Sequence, residues 1–217
     1  MRQTTRMISA CLSFALLVQK APAPTEPVPA PAMLSRAAWG AKPPLAYSGP
    51  VNQVRWVTIH HTGVRQNPNR TFVDKLRGLQ AFSQREDKLA NGRTKPQWVD
   101  IPYHYYIDVK GELAECRPIS IPGDTNTTYN PAGHALVVIE GDFTQDVFHE
   151  SQRQTMLNVV TWLCSQYRVA PSRIRGHRDW TPGETTCPGL PVEAEFPWLR
   201  ATVTQRLVQA GLNPTAW

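Results

Sequence analysis

Five apolar residues in succession, Ala135, Leu136, Val137, Val138 and Ile139, leave residues 135–140 without a polar face. A strand with water on one side alternates polar and apolar positions. A strand that does not alternate is covered on both faces. Covering both faces requires helices above and below a sheet, which restricts the chain to an α/β arrangement. The flanking patterns supply the helices. Residues 71–89 open on Thr71 and Asp74, a capping-box-like pair, and Phe72, Leu76, Leu79 and Phe82 or Ser83 keep helical spacing. Residues 151–168 begin with Ser151 and Gln154 as a capping box, and Met156, Val160, Leu163, Cys164 and Tyr167 share one face. Residues 193–210 place Leu199, Val203 and Leu207 four apart, with Gly211 as a stop. Further strands are expected at 55–61, 103–109, 112–116 and 173–176, with a hairpin at Lys110 and Gly111. Residues 90–98 and 117–133 read as loops. The order β-α-ββ-β-α-β-α implies a single α/β domain, with a mixed central β-sheet and helices packed on its faces.

Proline distribution sets the boundary of that domain. Of 20 prolines, five fall within residues 21–32. Such a segment favours extended polyproline II and acts as a semi-rigid linker. Before it, Arg2 and Arg6 precede an uncharged run at 7–18, the order of a secretory signal. Ile8, Ser9, Ala10 and Cys11 look like a lipoprotein box, but the apolar run mostly follows them. The expected organisation is therefore a signal or apolar segment at 1–20, a Pro/Ala-rich linker at 21–32 and a folded domain at 33–217. Export to the periplasm, cell envelope or extracellular space is expected. No apolar run reaches the ~20 residues of a membrane-spanning helix. Removing residues 1–32 takes away Arg2, Arg6, Lys20 and Glu26, which lowers the formal charge from +6 to +4. Lysines and arginines form no dense run, so nucleic acid is not an expected partner. A monomer is expected.

The chemistry-bearing residues stand at strand ends. His60 and His61 close one strand, His177 follows another, and Cys187 lies ten residues on. Imidazole and thiolate are donors zinc favours, and three protein ligands with one open position mark a catalytic site. A closed structural site would use four ligands, usually with short Cys-x2-Cys pairs, which the sequence lacks. Strand-end histidines are also common as plain polar residues, so the residue types alone leave both readings open.

Four collinear segments decide more: SRAAWGAKPP at 35–44, VTIHHTG at 57–63, WVDIPYHYYIDVKGELAECRP at 98–118 and RGHRDWTPGETTCPG at 175–189. Together they resemble the zinc-dependent N-acetylmuramoyl-L-alanine amidases, the family that includes peptidoglycan-recognition proteins and phage lysozyme-type amidases. The resemblance implies that fold, a zinc ion as cofactor, and hydrolysis of the amide between N-acetylmuramic acid and L-alanine in peptidoglycan or muropeptides. It gives His60, His177 and Cys187 as metal ligands, with His61 pointing to the opposite face. It places Tyr103 beside the metal, where a phenol would donate to the oxyanion. Thr185 matches a position where some members carry lysine, so its hydroxyl brings a donor without charge. Asp179 is expected to support a ligand or pair with an arginine. Trp98 and Arg117 match positions in members that prefer diaminopimelate-type stem peptides, where arginine clamps an extra carboxylate. Gln97 departs from the glycine of those members. His134 borders the groove in this family and is expected to touch substrate; His104 and His149 have no assigned role.

One departure concerns the proton acceptor. Cytosolic relatives carry a catalytic glutamate in the strand matching 135–140, where this chain has Val138. Glu140, two residues on, faces the same side and serves either as a substitute or as an ion-pair partner. Cys116 and Cys164 are expected to form a disulfide or to remain two buried thiols. Two further readings remain: a recognition module that binds cell-wall fragments without cleaving them, and a cysteine hydrolase built on Cys187 and His177. Recognition-only members typically lose a ligand, and all three ligand positions are filled here.

Overall fold

The run 135–139 does lie at the centre of a sheet. The computed structural model describes residues 28–89 and 92–217. Its strands are β1 (Trp56–His61), β2 (Asp87–Lys88), β3 (Thr94–Lys95), β4 (Tyr105–Ile107), β5 (Leu113–Glu115), β6 (His134–Ile139) and β7 (Ile174–Gly176). Its α-helices are α1 (Phe72–Ser83), α2 (Glu150–Tyr167), α3 (Leu190–Glu193) and α4 (Phe196–Gln209). The main sheet runs β5-β4-β6-β1-β7, and β2 and β3 form a separate small ladder. β6 pairs in parallel with both β1 and β4, β1 pairs in parallel with β7, and β4 and β5 form the antiparallel hairpin. The sheet is mixed, as the pattern implied.

Two apolar clusters sandwich it. Val57, Ile59, Val137 and Ile139 pack with Met156, Val160 and Leu163 of α2 and Leu199, Val203 and Leu207 of α4. Val138 and Tyr106 face the other way, toward Phe72 and Leu76 of α1 and the fully buried Trp39. Cys116 belongs to the α1-side cluster and Cys164 to the α2-side cluster. The sheet separates them and both are free thiols, so the disulfide expectation is overturned.

Two helix boundaries differ from the sequence reading. α1 ends at Ser83, not near residue 89. The Ser83 carbonyl accepts from Lys95 Nζ (3.1 Å) and from the Trp98 N–H (2.9 Å), so β3 and its flank meet the helix end. α2 begins at Glu150 with His149 as N-cap, and the His149 N–H donates to Gln152 Oε1 (3.3 Å), in place of the expected Ser151–Gln154 pair. Gln152 is fully buried and its Nε2 donates to the Glu140 carbonyl (2.9 Å). A tertiary contact therefore fixes the start of α2.

Glu140 anchors the α1 side. Its carboxylate accepts from Lys75 Nζ (2.8 Å), the Asn67 N–H (3.1 Å) and the Val109 N–H (3.0 Å). A buried carboxylate so occupied is a structural ion-pair partner. The segment at 1–20 and residues 21–27 of the linker lie outside the described residues. Residues 28–32 are described: Val28 packs against the α2-side core, and its N–H donates to Ser165 Oγ (3.1 Å). Among the described residues, no helix is long and apolar enough to cross a membrane.

Candidate metal centre and cleft

Alternation along β1 sends Thr58 and His60 to the α1 face and Val57 and Ile59 to the other. Pairing of Ile59 with Gly176 brings the end of β7 beside His60, and His177 opens a 3-10 turn, His177–Asp179, at that point. The Cys187 loop folds back on the same turn, with the Arg178 N–H donating to the Cys187 carbonyl (2.9 Å). Both loops need glycine. A Cβ on Gly176 would lie 2.9 Å from Pro188 Cδ, so the two ligand segments touch at that Cα. Gly189 has φ +94, and a Cβ there would lie 2.7 Å from Phe143 Cβ.

His60, His177 and Cys187 converge as a result. One ligand atom from each lies within 4.8 Å of the others, and all three residues are buried. Cys187 Sγ is 3.7 Å from His60 Nδ1, and it accepts the His61 N–H at 3.2 Å. His61 itself points away, its Nδ1 accepting the Phe143 N–H (3.3 Å). Burial, reinforced by the neighbouring His177, holds His60 well below the usual imidazole range. Burial and the nearby His61 lower His177 to about 4. Both rings are therefore neutral at pH 7, the state a metal ligand requires. Burial pushes the Cys187 thiol far up, so only a compensating cation would make it a thiolate. Two neutral imidazoles, one buried sulfur and an open side fit a zinc ion. The raised thiol also argues against Cys187 as a free nucleophile, which needs a lowered pKa.

The three residues form the floor of a cleft of about 600 Å³. Tyr103, Trp98 and Thr185 line it. The Tyr103 ring lies 5.1 Å from that of His60. Burial pushes its phenol up, so it remains a donor. Thr185 Oγ1 accepts the Cys187 N–H (3.1 Å), which leaves its own hydrogen for another acceptor. Trp98 rests on Lys95, whose ammonium sits 4.5 Å from the ring centroid.

Three other expected site residues are not on the cleft wall. Arg117 is buried. Its Nε donates to the Ile101 carbonyl (2.8 Å), and its terminal nitrogens donate to the carbonyls of Asp100 and Pro122 and to Asp124. A guanidinium committed in this way holds the loop of Asp124 and is not placed to clamp a carboxylate of a ligand. His134 sits behind the ligands: its Nδ1 is 2.8 Å from Thr58 Oγ1, its ring lies edge-on to Trp180 at 4.7 Å, and burial lowers it to about 4. Asp179 accepts the Gly176 N–H (2.9 Å). It secures the turn that carries His177 and leaves the imidazole alone. His104 is an interior strut, with Nδ1 accepting the Leu136 N–H (2.9 Å) and Nε2 3.0 Å from the Ile121 carbonyl.

The sequence reading missed Thr125, Thr127 and Tyr129. The Thr127 hydroxyl lies 2.7 Å from His177 Nε2, and the Tyr129 hydroxyl lies 3.2 Å from His60 Nε2. They belong to the long loop between β5 and β6, whose polar composition gave no sign of where it folds.

The model of the N-acetylmuramoyl-L-alanine amidase family (Amidase_2) matches residues 50–190, a span that contains all three converging residues. The chain belongs to this family. Similar proteins include peptidoglycan-recognition protein SC2 of Drosophila melanogaster, 23% identical over 166 residues, covering 76% of this chain and 84% of that protein. Among solved structures, Drosophila PGRP-LB superposes with a TM-score of 0.60 at 25% identity, covering 76% of this chain and 91% of that one. A tyrosine-to-phenylalanine mutant of Drosophila PGRP-LB has also been solved in complex with tracheal cytotoxin. The endolysin amidase LysCS of Clostridium intestinale shares the fold at a TM-score of 0.50 and 19% identity, covering 86% of this chain and 99% of that one. The amidase-family fold thus accounts for the mixed sheet, and its matched span contains the His60, His177 and Cys187 group.

Proposed function

We propose that this amidase-family domain hydrolyses the amide between the lactyl group of N-acetylmuramic acid and L-alanine, with zinc held by His60, His177 and Cys187. The observation that carries the reading is the convergence of those three donors on the cleft floor. A zinc ion there would supply Lewis-acid polarisation of the scissile carbonyl and lower the pKa of an attacking water from about 15.7 to about 7. Tyr103 Oη donates to the oxygen that gains negative charge as the tetrahedral intermediate forms. Thr185 Oγ1 fixes the Cys187 loop by accepting its N–H and turns its remaining hydrogen to the cleft. Trp98 forms an apolar wall for the substrate. The proton given up by the attacking water is taken up by the L-alanine amine as the C–N bond breaks. Glu140 takes no part, because Lys75 and two backbone N–H groups occupy it.

The family supports a peptidoglycan substrate and an envelope or extracellular location. Peptidoglycan or its muropeptides are the expected substrate, and Arg2, Arg6 and the uncharged run at 7–18 are consistent with export. Digestion of purified peptidoglycan tests the activity. Wild type is expected to release stem peptides that begin at L-alanine, whereas Cys187→Ala and chelator-treated wild type release none. Cleavage by Cys187→Ala at the wild-type rate would sink the metal assignment, and new reducing sugar ends would mean a glycosidase. The names of the recognition-protein relatives favour one competing outcome, tight binding of muropeptide without product.

A further inference from the structure

Each ligand histidine has a second ring nitrogen, and hydroxyls from one loop meet both. Thr127 Oγ1 lies 2.7 Å from His177 Nε2 and Tyr129 Oη lies 3.2 Å from His60 Nε2. The opposite nitrogen of His60, Nδ1, is the one 3.7 Å from Cys187 Sγ. A neutral imidazole carries one N–H and one lone pair. For Nδ1 to offer its lone pair to a metal, Nε2 must hold the hydrogen and find an acceptor. A hydroxyl oxygen is such an acceptor.

If His177 Nε2 carries the ring hydrogen, the contacts around Thr127 form one consistent chain: Thr127 Oγ1 accepts it, and the Thr127 hydrogen goes to Thr125 Oγ1 at 2.8 Å. Thr125 Oγ1 also accepts the Thr127 N–H (3.1 Å), which holds it in place. The next residue ties the loop to the third ligand: the Thr128 N–H donates to Glu184 Oε2 (3.0 Å), its hydroxyl bonds Glu184 Oε1, and Glu184 lies three residues before Cys187. Five consecutive residues thus reach all three ligand segments.

We propose that residues 125–129 are an outer brace that fixes the tautomer and orientation of both ligand histidines, with Thr127 and Tyr129 as positioning residues that set how tightly the metal is held. This rests on the metal reading above. Outer partners of ligating histidines typically contribute about 10–100-fold in metal affinity.

The test measures zinc affinity of the full chain by competition with a colorimetric chelator, and the zinc release rate. Thr127→Val and Tyr129→Phe are each expected to weaken zinc binding roughly 10–100-fold. Thr127→Ser, which keeps the hydroxyl, should stay near wild type. Cobalt-loaded protein adds a geometric readout: its d–d absorption envelope should change in Thr127→Val and not in Thr127→Ser. Melting of the metal-free forms controls for folding, since a variant that melts earlier while holding zinc as tightly as wild type speaks for a structural role only. Unchanged affinity and release in both Thr127→Val and Tyr129→Phe, with wild type binding tightly, would overturn the brace and leave the ligand assignment standing. Wild type that binds zinc no better than Cys187→Ala would instead remove the ligand assignment, and the brace with it.

Discussion

The two faces of the sheet are built from the same strands and follow different rules. On the α2/α4 face, Val57, Ile59, Val137 and Ile139 enter a continuous apolar core. On the opposite face, the residues that alternate with them include Thr58, His60, His134 and Glu140, all buried and all polar. Burial stabilises the first face through area removed from water. It would destabilise the second unless every polar group found a partner. Those partners are present. Glu140 has Lys75, His134 has Thr58, and the Trp180 Nε1–H donates to Thr58 Oγ1 (3.1 Å). The difference teaches a division of labour: one face is a continuous apolar core, and the other combines a smaller apolar cluster with partnered polar groups beside the three donors.

Four expected outcomes would break or sharpen that division. The largest is loss of a ligand. Cys187→Ala should lower amide hydrolysis by ~10³-fold or more, since metal polarisation is worth several kcal/mol, while the melting temperature of the metal-free protein stays close to wild type. A variant that cleaves normally would show that the polar face does not carry the chemistry. Next, Tyr103→Phe should lower kcat by ~10²–10³-fold with little change in KM, as for removal of one oxyanion donor. A rise in KM alone would reassign Tyr103 to ground-state binding.

The apolar face is probed from the other side. Leu163→Ala, at a fully buried position, should lower unfolding stability by about 3 kcal/mol through the cavity it leaves. Zinc affinity of the folded fraction should be unchanged; a parallel loss measured by chelator competition would mean that the faces are energetically coupled. The smallest effect is a pH slope. Burial lowers His104 to about 3, against about 6.5 in an unfolded chain. Between those values the unfolded state binds more protons. The contribution of His104 is therefore fully present above about pH 6.5 and declines as pH falls toward about 3. Denaturant titrations across that window should show a shallower slope for His104→Gln than for wild type, and equal slopes would assign the acid sensitivity to other groups.

Much of the fold was legible because hydrophobic period is local. The unbroken apolar run at 135–139 marked a strand covered on both faces, and the spacing of Leu199, Val203 and Leu207 marked a helix, because each pattern states how its own element is covered. Boundaries were less legible. α1 stops where Lys95 and Trp98 reach the Ser83 carbonyl, and α2 starts where Gln152 reaches Glu140. Those contacts join residues distant in sequence. The convergence of His60, His177 and Cys187 was legible in part because the histidines end strands and the glycines of their turns are neighbours in the chain. Arg117 was misplaced for the opposite reason, since a strand-end arginine looks alike in sequence whether it meets substrate or four groups of the protein's own interior loops.

The sequence by itself determined the mixed α/β layering, the alternation that turns His60 and His61 apart, and the residue types that a zinc ion favours. Each depends on local period or on side-chain chemistry, which the chain carries in its order. Only the tertiary structure decided that Cys116 and Cys164 lie on opposite sides of a sheet, that Glu140 is held by Lys75, and that Thr127 and Tyr129 stand behind the ligand histidines. Those outcomes depend on where a long polar loop and a buried charge settle. Their hydrogen-bond partners lie 50 to 69 residues away, at separations where chain order constrains no direction.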